Sequence, residues 1–288
     1  MEEFIQWAKV ILESNLKTLA IVASISGVCW LIESCRPSTV DVGLKGRWHN
    51  LCVFTYLLIG MVISAPFITW YSQLLPSVAL IDQVFPGWRS EGLLGAVVAT
   101  VIYALVWDFF QYWTHRLEHK FSVLWKFHRI HHSDAHMNST TSLRQSVGGA
   151  LLGFMFTHIP TIAVCGGGML PYLGSLILFS CWGYFNHANL RVSLGVMTFV
   201  LSGPQLHRLH HGRDCSYHNC NYAAFFPFLD YIFGTLRAPE GNEWVETGID
   251  NDRSPQTPFR QSFLSWLDEK PASSETLRVS DGHLSQGS

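Results

Sequence analysis

His115-Arg-Leu-Glu-His119 is followed by His128-Arg-Ile-His131-His132, by His187, and by His207-Arg-Leu-His210-His211. Imidazole is the commonest protein metal ligand, and these spacings put the rings on shared helix faces. His115 and His119 are one helical turn apart and project the same way. In each His-x-x-His-His motif the first ring pairs at i+3 with one neighbour and at i+4 with the other. The adjacent pair, about 100° apart on the helix wheel, diverges toward two different ions. Solvated basic surface helices are the plain alternative. One cluster fits that alternative, but two copies and a His-x-x-x-His do not. Nine imidazoles are too many for one ion, whereas two ions with four or five nitrogen ligands each use them all. Zinc, copper, iron and nickel all suit imidazole. The chain has neither the His-Glu-x-x-His of a zinc protease nor the Glu-x-x-His pairs of soluble carboxylate-bridged di-iron proteins.

Composition points to a membrane. Only 14% of the 288 residues are charged and 48% are hydrophobic, against roughly 25% charged in soluble domains. The net charge of −2 gives no electrostatic footprint for nucleic acid. Eleven Trp and nine Tyr suit membrane interfaces. Seven scattered Cys form no disulfide framework and read as buried thiols in a reducing compartment. Met1-Glu2-Glu3 is acidic where a signal peptide is basic, so no cleaved signal is expected.

Uncharged runs locate the spans. Thr18 to Ile32 makes a first span. Trp48 to Ile81 is long enough for a second span plus an interfacial or re-entrant piece, with interruptions expected at Pro66 and Pro76. Gly92 to Trp107 begins a third, continuing in helical pattern through Trp113. Gln145 to Leu190 contains Cys165-Gly-Gly-Gly-Met-Leu-Pro171, the tight turn of a hairpin that crosses and returns. A crossing helix needs about 20 apolar residues. The expected fold is therefore an all-α integral membrane protein of about four spans (three to five), with a cytosolic helical cap carrying a histidine-rich di-metal site. Residues 115–144 carry Arg116, Lys120, Lys126, Arg129 and Arg144. Residues 34–49 carry Arg36, Lys45 and Arg47, and residues 71–91 only Arg89. This bias puts the histidines on the cytoplasmic side, although Lys9 and Lys17 at the other end of span one oppose it. After Arg191 the chain reads as the cap. Val192 to Val200 is an apolar run too short to cross. Phe259, Phe263, Trp266 and Leu267 suit an interfacial amphipathic turn, and the tail from about residue 271 is expected to be disordered.

The ordered motifs resemble the fatty acid hydroxylase/sterol desaturase superfamily of integral membrane oxygenases. The matching text runs from Trp107-Asp108 and Trp113-Thr-His115-Arg-x-x-His119 through Leu124-Trp125-Lys-x-His128-x-x-His131-His132-Ser133 and Asn138-x-x-Thr141-x-x-Arg144. It continues with Phe185-Asn-His187-x-Asn189-Leu190, Pro204-x-x-His207-Arg-x-His210-His211, Asn221-Tyr222 and Leu229-Asp230-x-x-Phe233-Gly234-Thr235. The likeness covers about residues 92–237. It divides the chain into N-terminal membrane helices (1–91), a catalytic domain (92–237) and a cytosolic tail (238–288). It implies two non-haem iron ions held by His115, His119, His128, His131, His132, His187, His207, His210 and His211. It also implies O2 as co-substrate and a lipid as the molecule oxidised. Family members often carry a further histidine near the fourth motif. Here Gly183 stands four residues before His187, which leaves one ligand missing or supplied by water.

Other residues carry less specific signals. Asp108, two turns before His115, reads either as an acceptor for a ligand-histidine N–H or as an interfacial helix-end carboxylate; the first is preferred. Asn138 and Arg144 suit orientation of ligands or of a lipid headgroup, and Arg144 equally suits a snorkelling anchor. Glu118, His49, His136 and His283 read as surface residues. His158 reads as a buried, hydrogen-bonded histidine in the hairpin, with a substrate-tunnel or ligand role as the lesser reading, and His218 carries no assignment.

Hydroxylation and desaturation share the first hydrogen abstraction, so the ligand set does not separate them. A metal-binding or transport protein without oxygenase activity is the competing class. It predicts ionisable residues along several spans, whereas these histidines gather at one end. No haem, flavin, nicotinamide or iron–sulfur motif is present. A separate electron donor is implied, a cytochrome b5 type or a ferredoxin type with its reductase. Lys120, Lys126 and Arg208 are candidate docking residues for an acidic donor or for lipid phosphates. The short chain without a fused cytochrome or a retrieval signal favours a bacterial inner membrane over the endoplasmic reticulum.

Overall fold

The computed structural model describes residues 2–39, 43–74, 79–88, 92–166, 169–249 and 257–267. Pro76, Arg89, His283 and the tail from residue 271 lie outside them. Among the described residues all regular structure is helical apart from two isolated bridges. In chain order the α-helices are α1 (Glu2–Cys35), α2 (Gly43–Ser72), α3 (Leu80–Val84), α4 (Gly92–Lys120), α5 (Ser122–His132), α6 (Val147–Gly153), α7 (Ile159–Cys165), α8 (Met169–His187), α9 (Pro204–His210), α10 (Phe228–Ile232) and α11 (Pro258–Phe263).

Among the described residues four stretches are long and apolar enough to cross a membrane: Leu12–Cys35, Gly43–Ile68, Gly92–Lys120 and Val147–Cys165. The protein is a multi-pass membrane protein. α2 continues through Pro66 to Ser72, so the interruption expected at Pro66 does not occur. Membrane helices tolerate proline where neighbours satisfy the released backbone group. A single π-helical turn, Phe154–His158, joins α6 to α7 and continues the fourth stretch without a break.

The hairpin expected from Gln145 to Leu190 is present. Its descending arm packs beside α4, where the Thr157 hydroxyl donates to Thr114 Oγ1 (3.1 Å) and lies 3.3 Å from the Gln111 amide. The chain turns at Gly166, whose φ of 75° suits glycine. α8, 19 residues without a formal charge, then runs parallel to α4. Gly174 permits the close approach, since a Cβ there would sit 2.8 Å from Thr100 Oγ1. Farther along, the rings of Trp107 and Phe179 lie 4.0 Å apart. The return brings His187 level with His115.

A buried polar network ties the first two helices to this end. Glu33, at the end of α1, pairs with Arg47 of α2, and both are at most 2% exposed. Glu33 Oε1 accepts the backbone N–H groups of Ser139 (2.8 Å) and Asn189 (2.7 Å). Removing one partner of such a buried pair leaves an uncompensated charge, which costs about 3–5 kcal/mol. At the outer edge of the bundle, α11 packs on α2, with Phe259 and Phe263 edge-on to Tyr56.

Candidate metal centre

The nine histidines converge as two groups. His115, His119, His128, His132 and His210 form one, and His131, His187, His207 and His211 the other. Within each group the candidate ligand nitrogens all lie within 4.8 Å of one another. The adjacent pairs diverge as the helix wheel requires. His131 and His132 enter different groups, as do His210 and His211. The groups share a wall, where His132 stacks on His211 at 4.3 Å and 18°. Six of the nine rings are only 1–6% exposed.

Hydrogen bonds fix several tautomers. The Nδ1–H of His115 donates to the Tyr222 carbonyl (2.8 Å), that of His210 to the Cys220 carbonyl (2.7 Å), and that of His187 to the Gly183 carbonyl (2.7 Å). His128 Nδ1 lies 3.1 Å from the Glu118 carboxylate. These acceptors hold the ring proton on Nδ1, so each Nε2 presents a lone pair. Yet His115 Nε2 and His128 Nε2 are 3.0 Å apart, and His207 Nε2 and His187 Nε2 are also 3.0 Å apart. For His115 and His128 this sets lone pair against lone pair, which calls for a cation. His119 Nε2, His210 Nε2 and both nitrogens of His211 are buried without a hydrogen-bond partner among the described residues. Leaving such groups bare costs roughly 1–3 kcal/mol each. The donor set fits two metal ions.

The electrostatics agree. Burial first, and neighbouring imidazoles second, hold His131, His132, His207 and His211 well below the usual histidine range. Burial pushes His210 down to about 3, although its bond to the Cys220 carbonyl works in the opposite direction. Neutral imidazole is the form a metal takes.

Several expectations are corrected. Asp108 accepts no histidine proton. Its carboxylate takes the backbone N–H groups of Ala224 (2.9 Å), Phe225 (3.1 Å) and Phe226 (2.6 Å). Asp230 likewise accepts from the N–H groups of Tyr222 (2.7 Å) and Ala223 (2.9 Å). The two carboxylates strap the loop whose carbonyls, at Cys220 and Tyr222, orient His210 and His115. Glu118 is 5% exposed rather than a surface residue, and it holds His128. Gly183 offers no side-chain ligand, and its carbonyl instead orients the His187 ring.

Among the described residues Asn138 and Arg144 hydrogen-bond to no cluster histidine, and both are buried. Asn138 caps the 3-10 turn Ser139–Leu143, accepting from the Thr140 N–H (3.1 Å), and accepts from Arg47 (3.3 Å). Arg144 is 6% exposed and does not snorkel. It donates to the Ile130 carbonyl (3.2 Å), to Ser133 Oγ (2.6 Å) and to Asn50 Oδ1 (3.2 Å), fixing the end of α5 that carries His131 and His132. Arg208 is 2% exposed and bonded to the Val245 carbonyl (2.9 Å), so it is no docking residue. His49 is half-buried against Gln261 (2.8 Å). His136 and His218 are exposed. His158 lies below the centre beside Trp107 (5.8 Å), its Nδ1 without a hydrogen bond among the described residues.

The roles of Glu118, Glu33, Arg47, Asn50 and Asp230 were missed. Glu118 carried a usable signal, since it lies three residues after His115 and so on the same helix face.

Residues 100–235 match the model of the family described as fatty acid hydroxylase. Alkylglycerol monooxygenase of Homo sapiens is 31% identical over 156 residues, which is 54% of this chain and 34% of that protein. Ornithine lipid hydroxylase OlsE of Rhizobium tropici is 29% identical over 160 residues, 54% of this chain and 45% of that protein. Very-long-chain aldehyde decarbonylase GL1-6 of Oryza sativa subsp. indica is 27% identical over 205 residues, 68% of this chain and 29% of that protein. The chain thus spans about a third of the length of the first curated relatives it matches. No solved structure matches it. The segment that carries both histidine groups thus matches the fatty acid hydroxylase family.

Proposed function

We propose that the chain is a membrane-bound, O2-dependent di-iron oxygenase that hydroxylates a C–H bond of a lipid, with desaturation as the variant chemistry. The observation that carries this is the pair of buried, neutral-imidazole groups sharing one wall. Iron held there would supply O2 activation, in which two external electrons and two protons would leave one oxygen atom in the substrate and the other as water. The nine histidines are the ligands, five to one ion and four to the other. Hydroxylation is preferred because two of the three similar proteins are named as a hydroxylase and a monooxygenase.

The chain's own residues keep this centre fixed and dry. The carbonyls of Tyr222, Cys220 and Gly183 and the Glu118 carboxylate hold four rings in their ligating tautomers. Such outer partners typically contribute 10–100-fold to metal affinity. Asp108 and Asp230 hold the loop behind two of them. Asn138 and Arg144 hold the end of α5 and the turn behind it. The unit 92–237 works with 1–91, because Glu33, Arg47 and Asn50 complete its polar frame. Residues 238–288 form the third segment.

The histidine end faces the cytoplasm in this reading. Arg36, Lys45 and Lys120 are exposed there, although Arg47, Arg129 and Arg144 are buried and count for less. A separate cytochrome b5-type or ferredoxin-type donor supplies the electrons. A bacterial inner membrane is preferred, and the similarity to a Rhizobium tropici lipid hydroxylase supports it.

The test is growth of expressing cells under 18O2, followed by lipid mass spectrometry. One labelled oxygen atom per product lipid is expected, absent from a His128→Ala/His211→Ala strain. Lipid profiles that are identical in the two strains would refute an oxygenase.

A further inference from the structure

Irregular backbone is stable at bilayer depth only where every polar group has a partner. Residues 224–227 meet that condition beside a membrane span. Asp108 lies within the span Gly92–Lys120, about 10 Å along the axis from His115. Its carboxylate takes the N–H groups of Ala224, Phe225 and Phe226. The Ala224 carbonyl accepts from Asn186 Nδ2 (2.9 Å), that of Phe225 from the Ser202 N–H (2.9 Å), that of Phe226 from the Leu229 N–H (3.1 Å), and that of Pro227 from the Tyr231 N–H (3.1 Å). Pro227 has no N–H of its own. The segment is fully bonded without water.

Its side chains pack against the same long apolar helices. The Phe225 ring packs on Phe179 (5.7 Å) and Trp182 (4.6 Å) of α8, and Phe179 lies eight residues before His187. Phe233 packs on Phe109 (6.4 Å) and Trp113 (5.0 Å) of α4. Two apolar strings flank this segment. The 3-10 turn Gly195–Phe199 leaves Val196 83% exposed, with Phe199 and Val200 also exposed. α10 leaves Tyr231 74% and Ile232 62% exposed. The Ser202–Phe225 hydrogen bond joins the two strings. Phe109, exposed on the span itself, continues the same surface onto α4. A carboxylate inside a span is expensive unless its partners are fixed, and here the partners are the cap's own backbone.

We propose that residues 195–200 and 228–232 form a lip inserted into the acyl region of the leaflet on the histidine side, with bilayer hydrocarbon as its partner. Continuity with the lipid-facing surface of α4 favours lipid over a second protein. The lip changes the expected water-borne cap into one that partly descends beside the spans, held down by Asp108.

The experiment uses the full chain in lipid nanodiscs, with Cys35, Cys181 and Cys215 replaced by serine. Single cysteines V196C, F199C, Y231C and I232C carry a nitroxide, with E240C and N242C as controls at exposed positions. Collision rates with O2 and with a water-soluble nickel chelate are compared. An O2-to-nickel ratio several-fold higher at the four lip positions than at the controls is expected. Equal ratios, or protection from both reagents by a protein partner, would overturn the proposal. A second measurement needs no substitution. The wild-type chain in phosphatidylcholine vesicles bearing an acyl-chain diazirine is expected to be photolabelled within 192–206 and 223–236. Labelling confined to the spans would also overturn it.

Discussion

The two histidine groups differ in what stands behind them. The five-ring group draws on α4, α5 and α9 and is backed by two loop carbonyls and one carboxylate, Glu118. The four-ring group draws on α5, α8 and α9, and among the described residues one of its rings is held by a carbonyl, that of Gly183, in the same helix as the ring. The first group therefore depends on distant chain segments, and the second mainly on local helix geometry. Damage to the loop behind Cys220 and Tyr222 should reach the first group before the second.

The largest expected effect comes from the rings themselves. His128→Ala and His187→Ala each remove a ligand from one group only. Both should abolish the proposed O2-dependent lipid oxidation, which calls on both ions, and product assay in membranes checks this. Glu118→Gln comes next. It should weaken metal binding in the five-ring group by about 10–100-fold while leaving the four-ring group unchanged. Chelator titration followed by metal analysis would show one ion released early. Loss of both together would mean that the groups are not separable.

Asp108→Asn loses a charge that accepts three backbone N–H groups. The expected cost is about 2 kcal/mol, read as a lower unfolding midpoint in mild detergent, with slackening of His115 and His210 before His187. Acid provides a further comparison. In the metal-stripped protein, His131, His132, His207, His210 and His211 have depressed folded pKa values. The unfolded chain, with histidines near 6.5, binds more protons than the folded one below that value. Stability is thus fully present above about pH 6.5 and falls as the pH drops through it. The metal-loaded protein should resist longer, and thermal melts across pH check both. The smallest effect is Gly183→Ala. The carbonyl remains, and the new Cβ meets only Ser142 Cβ at 3.8 Å. Metal content should not change.

Much of the site was legible because it is periodic. The i+4 spacing of His115 and His119, and the divergence of the adjacent pairs, follow from helix geometry alone. Glu118 was legible in principle by the same rule. Asp108 was not, because its donors lie more than a hundred residues later and are backbone groups without a sequence signature. Glu33 and Arg47 stood out only as charges at the edges of uncharged runs, and their pairing depends on how α1 and α2 meet. The π-helical turn at Phe154–His158 and the role of the Gly183 carbonyl depend on tertiary context, which propensity does not encode. The hairpin was readable from its missing charges and glycine-rich turn. The descent of residues 224–233 was not, since their aromatic composition also fits a water-exposed cap.

Iron per chain measures the central claim most directly. The protein would be purified in mild detergent from iron-replete cells without chelator, beside the His128→Ala and His187→Ala variants. Two irons are expected in the wild-type chain and one in each variant, one for each histidine group. A wild-type chain without bound metal, or variants that keep both ions, would contradict it.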